Sequence, residues 1–137
     1  MASGVYDIFK TDLMDGGVNI ANGGDTLKCA LLDNSHSFLA TNTVWGNISA
    51  NEIAGTAYVA GGDTLANQAV SMAANTATFD ADDTAWTSAS FTAYHAVIYD
   101  TTNTSSLICS IDFGGAQTVT SGTFSIEWNA SGIISLA

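Results

Sequence analysis

Proline and arginine are absent from this 137-residue chain, and lysine occurs only at Lys10 and Lys28. Without proline no turn has a preset φ, so chain reversals fall to asparagine and to the 13 glycines. Thirteen Asp and Glu against two lysines give a formal net charge of −11. Such a surface cannot displace counterions from phosphates, which removes nucleic acid as a partner, and an anionic membrane surface repels it. No apolar run approaches the roughly 20 residues of a membrane helix, so no membrane partner is expected. The opening "MASGVYDIFKTDLMDGG" has neither a basic n-region nor a continuous apolar h-region, so the expectation is synthesis in a cytoplasm without a secretory signal. Hydrophobic residues make up 47% and charged residues 11% of the chain, the reverse of a disordered composition. A chain of this length buries roughly two thirds of its unfolded surface in one core, so residues 1–137 read as a single domain.

Chemistry-bearing residues are equally sparse. Cys29 and Cys109 form no metal or redox spacing; each lies in an alternating apolar segment and reads as a buried free thiol, with a disulfide between neighbouring strands as the alternative. His36 and His95 are the only imidazoles. His95, inside "TAYHAVIYD", reads as a strand residue rather than a base, and no G-x-S-x-G motif accompanies it. Asp80, Asp82 and Asp83 form the densest acidic cluster and read as a solvated turn, with a structural Ca²⁺ as the alternative. No catalytic, cofactor or metal residues are assigned, and the expected class is not an enzyme.

Periodicity divides the chain. Val5, Ile8, Phe9 and Leu13 recur at helical spacing ahead of Gly16-Gly17, which predicts an amphipathic helix over about residues 4–15. Beyond it the period becomes two. Leu27, Cys29 and Leu31 share one face; so do Leu107, Cys109, Ile111 and Phe113, and then Phe124, Ile126 and Trp128. "SFTAYHAVIYD" is apolar on both faces, with Phe91, Ala93, Val97 and Tyr99 opposite Tyr94, Ala96 and Ile98. Weaker strands are expected around 69–73, 76–80 and 133–136. The pattern predicts an all-β fold, an antiparallel β-sandwich or jelly-roll-like barrel with a short N-terminal α-helix. Ser49-x-x-Glu52 has the form of a capping box at a helical turn.

"GGDTL" occurs at residues 23–27 and again at 61–65. Neither copy opens a helix or precedes a Walker lysine, and each offers one carboxylate, too few for a calcium loop. Turn chemistry remains: glycines that permit positive φ, an Asp that binds local N–H groups, then the start of a strand.

Three stretches, "SANEIAGTAYVAGGDTLANQAVS", "TAYHAVIYDTTNTSSLICSIDFGG" and "FSIEWNASGIISLA", in that order, resemble a family of small tailed-bacteriophage virion proteins. The likeness runs from Leu27 onward through an S-A-N-E-x-x-G-x-G-Y-x-x-G-G-x-x-L segment and a closing W-x-x-x-G-I strand. It departs at Ala57, where the family has Gly, and in the loop before Leu27. The resemblance implies a structural role in a virion, most simply a capsid decoration (cement) protein on the outer head, or else a tail, baseplate or fibre component. Its partners would be the major capsid protein and further copies of itself, and a homo-trimer would suit three-fold lattice positions. Candidate partner-facing residues are Val5, Ile8, Phe9 and Leu13 on the helix and Tyr94 and Ile98 on the two-sided strand; the helix stripe could equally close one end of the sandwich. A carbohydrate-binding module is the reading of a different class, and it needs Trp45 and Trp86 exposed and close together.

Overall fold

The computed structural model describes residues 3–137. Among these residues eight strands form two antiparallel sheets in a sandwich-like all-β fold with one short α-helix, as the periodicity predicts. The larger sheet is ordered β1 (Gly4–Val5), β7 (Ser106–Ile126), β6 (Thr84–Asp100), β2 (Leu27–Leu32), β3 (Asp63–Thr64). The smaller is ordered β4 (Ala69–Ala73), β5 (Thr76–Asp80), β8 (Ile134–Leu136).

The helix α1 is shorter than expected. It spans Asp7–Asp15, because Gly4 and Val5 pair with Ser110 and Cys109 of β7 and Tyr6 is extended at φ −71°, ψ 147°. Gly16 ends it in the left-handed region at φ 81°, where a Cβ would be strained. The Ser49–Glu52 signal yields a single 3₁₀ turn over Ser49–Asn51 with no side-chain cap. Glu52 is engaged elsewhere: its carboxylate accepts hydrogen bonds from the Tyr58 hydroxyl and the Gly61 N–H. Tyr58 in turn accepts the Leu31 N–H of β2 at 3.0 Å. Gly62, at φ 82°, lies so close to β2 that a Cβ would overlap the Cys29 carbonyl. Glu52, Tyr58 and the two glycines thus clamp the long β2–β3 loop onto the sheet.

The two GGDTL copies meet. Lys28 pairs with Thr64 and Cys29 with Asp63, and the Leu65 N–H donates to the Leu27 carbonyl at 2.9 Å, so the copies end in neighbouring antiparallel strands. In the first copy the Asp25 carboxylate accepts the Asn19 N–H at 2.7 Å, a turn role as expected.

The large sheet is covered on both faces. One face holds Leu27, Cys29, Leu31, Ala96, Ile98 and Cys109 against Phe9 of α1 and Phe79 of β5. The other holds Ala30, Leu32, Val97, Tyr99 and Leu107 against Tyr6 and Ile48, with Trp45 and Phe38 at its border. β6 does not keep the simple alternation expected of it. Its register breaks between Ala93, opposite Gln117, and His95, opposite Asp112, so Phe91 and Ala93 share a face with Ala96 and Ile98 while Val97 and Tyr99 turn to the other. A second break leaves Ile108 unpaired and sends Leu107 to the face opposite Cys109.

Cys29 and Cys109 are buried free thiols. Both oppose Ile98, one from each side. Two strand spacings, about 10 Å, therefore separate their backbones, beyond the ~7 Å a disulfide spans.

Candidate functional site

The small sheet carries an apolar face that the rest of the chain covers only in part. Its register aligns Val70 with Phe79 and Ile134, and Met72 with Ala77 and Leu136, so all six share one face. Phe79 is buried, and Phe9, Leu13 and Ile20 close over that end around an apolar groove of about 110 Å³. Beyond the helix the covering stops: Val70 is 50%, Met72 71% and Leu136 65% exposed, with Leu13 at the helix border. Fully covering such side chains is worth about 1.5–3 kcal/mol each; Met14, Leu39 and Val59 are also exposed, but Val70, Met72 and Leu136 are the ones that share one sheet face.

A second feature is a closed polar cluster under β6 and β7. His36 Nε2 lies 3.1 Å from Ser110 Oγ, the two imidazoles meet edge to face at 4.9 Å, and His95 Nδ1 is 3.8 Å from Asp112 Oδ1. Burial, with His95 beside it, pulls His36 down to about 4, and burial likewise lowers His95. Both rings are therefore neutral at pH 7. Among the described residues both ring nitrogens of His95 are buried without a hydrogen-bond partner. His36 and Ser110 are each 1% exposed, and Asp112 meets the other histidine, so the three do not form a nucleophile, base and orienting acid open to a substrate.

Asp100 is the third. It is wholly buried at the end of β6; its Oδ1 accepts the Thr102 and Asn103 N–H groups at 2.8 and 3.2 Å, while its Oδ2 has no partner. Burial first, then the adjoining Asp25 carboxyl, raise it to about 6. The sequence pattern gave no hint of this pair, which lies 75 residues apart along the chain.

The expected partner residues fall in different places. Phe9 and Ile98 are core residues, 2% and 0% exposed, and are corrected as partner contacts: α1 packs Phe9 inward and the β6 bulge turns Ile98 into the sandwich. Val5, Ile8 and Tyr94 are half-buried, and Leu13 alone joins the exposed apolar face. Trp86, which the carbohydrate-binding reading needs exposed, is buried among Tyr58, Phe91 and Phe124. Trp45 stacks on Tyr99 at 4.8 Å on the opposite face of the sheet, so the two tryptophans form no common platform. Asp80, Asp82 and Asp83 serve separate partners: the Ala81 N–H, the Asn67 amide and the Trp128 N–H. Among the described residues no three His, Cys, Asp or Glu side chains converge as a metal site.

A cleft of about 620 Å³ runs along β7 between Phe113, Phe124 and Trp128. Bulges at Gly114-Gly115 and near Ser121 kink the strand beside it. Comparison with protein-family models, curated proteins and solved structures finds no match to this chain.

Proposed function

We propose that this protein is a structural component of a phage virion, a capsid decoration protein that binds the outer head and ties neighbouring major capsid subunits together. The observation that carries the reading is the partly uncovered apolar face of the small sheet, bordered by Leu13, on a chain of net charge −11. An apolar face of this kind needs a protein surface to cover it, and the acidic exterior keeps the molecule away from packaged DNA. The resemblance of residues 49–71 and of the closing strand to small virion proteins supports a virion partner. Attachment through many copies, each bridging subunits, would gain from effective concentration without strong single contacts.

The test is binding of purified protein to purified heads stripped of it, read by co-sedimentation. Wild type binds at saturable stoichiometry, and Leu136→Asp, which changes an exposed side chain, loses binding while keeping its far-UV spectrum. Binding to tails alone, or binding indifferent to Leu136→Asp, contradicts the reading.

A further inference from the structure

β4 is a bare edge. It pairs with β5 on one side only, and all five of its residues are exposed. Natural sheets guard such edges with lysine, proline, inward charges or bulges, because unpaired N–H and C=O groups recruit another strand. None of these guards is present: "AVSMA" pairs with β5 residue for residue, and no charged side chain occurs from Thr64 to Phe79.

The sequence of the edge is the same in character read in either direction, Ala, apolar, Ser, apolar, Ala. We infer that two copies of this chain join β4 to β4 antiparallel about a two-fold axis at Ser71. In that register Val70 opposes the partner's Met72 on the apolar face, Ala69 opposes the partner's Ala73, and Ser71 opposes its own counterpart on the other face. The two small sheets become one six-stranded sheet, and their apolar faces become one continuous surface. A one-residue slip would set Val70 against the partner's Ser71, which is why this register is favoured.

The two-fold character of the edge sequence points to a second copy, and charge limits where two copies can meet. Two chains of −11 repel each other over most of their surfaces, and the uncharged stretch 64–79 is a place where they can meet. Added salt, which shortens the screening length to about 10 Å at 0.1 M, therefore strengthens this association, the opposite of its effect on ion-paired contacts. The inference does not rest on the head-binding reading and is tested without heads.

Ser71→Cys is the direct probe. Opposed residues of an antiparallel pair have Cβ atoms about 4.5–5.5 Å apart, near enough for a disulfide after a small adjustment, and the native thiols are buried. The expected result is a mass twice the 14.1 kDa chain by sedimentation, and near-complete cross-linking of Ser71→Cys on mild oxidation. Ala73→Cys, opposed to Ala69, cross-links little. Ser71→Asp places two carboxylates face to face and returns the mass to 14.1 kDa with an unchanged far-UV spectrum. A monomer at every concentration and salt, an oligomer indifferent to Ser71→Asp, or equal cross-linking at positions 71 and 73 would overturn the inference.

Discussion

Replacing Asp100 by Asn isolates the energetic cost of burying a carboxylate beside another. In the folded chain Asp100 titrates near 6 instead of 3.8, because burial and then Asp25 disfavour its charged form. The folded state thus holds a proton that the unfolded state has released, so at pH 7.5 the group opposes folding, and the opposition fades as pH falls through about 6 towards 3.8. A shift of this size corresponds to about 3 kcal/mol. Asparagine keeps the oxygen that accepts the Thr102 and Asn103 N–H groups and replaces the unpartnered Oδ2 with an N–H donor facing Asp25. Asp100→Asn is therefore expected to raise stability at pH 7.5 by about 3 kcal/mol, which moves the urea midpoint by about 1 M or more. At pH 4 the gain should nearly vanish. Urea titrations followed by tryptophan fluorescence at both pH values decide it: no gain at pH 7.5, or an equal gain at both, would show that burial beside Asp25 does not raise Asp100.

His36 works in the opposite sense. Its folded pKa of about 4 lies below the ordinary 6.5, so the unfolded state binds the extra proton and stability is lost as pH falls from 6.5 to 4, by up to about 3 kcal/mol. Asp100 gains over nearly the same window while His95, also lowered by burial, loses with His36, so wild type should lose stability as pH falls and Asp100→Asn should lose it more steeply; a flat profile in the variant would contradict the assignment of His36 as buried and neutral. Ala57 adopts φ 65°, a left-handed conformation that costs a residue with a Cβ about 1–2 kcal/mol. Ala57→Gly should raise the unfolding free energy by up to about 1 kcal/mol once the greater freedom of glycine in the unfolded chain is subtracted, and a thermal melt that falls instead would show that this conformation is not strained.

Part of the fold was legible in the sequence because several strands place their large apolar residues on alternate positions. The period-two runs at Leu27–Leu31 and Phe124–Ile126 give their burial directly, and Gly16 marks the end of α1. The β6 bulge was not legible: a face change needs an extra residue in one strand, and nothing in "FTAYHAV" shows where its neighbour slips. The same bulge is why Ile98 read as partner-facing. Ser49 and Glu52 matched a capping pattern, but Tyr58 and Gly61, six and nine residues on, offered Glu52 better-placed donors. The exposed apolar face was half legible. Val70 and Met72 alternate visibly, yet their exposure depends on α1 ending before it reaches them, which is a matter of packing. Asp25 and Asp100 meet only because β2 and β6 pair Leu27 with Asp100, a long-range register that local pattern does not encode.

On the function proposed above, the Leu13, Val70, Met72 and Leu136 face attaches this protein to the outside of a phage head. Imaging of purified virions at side-chain resolution tests it most directly. The expected result is density for the chain on the outer head lattice, with that face buried against the major capsid protein. Density confined to the tail, or a head-bound molecule with Leu136 and Leu13 still facing solvent, would contradict it.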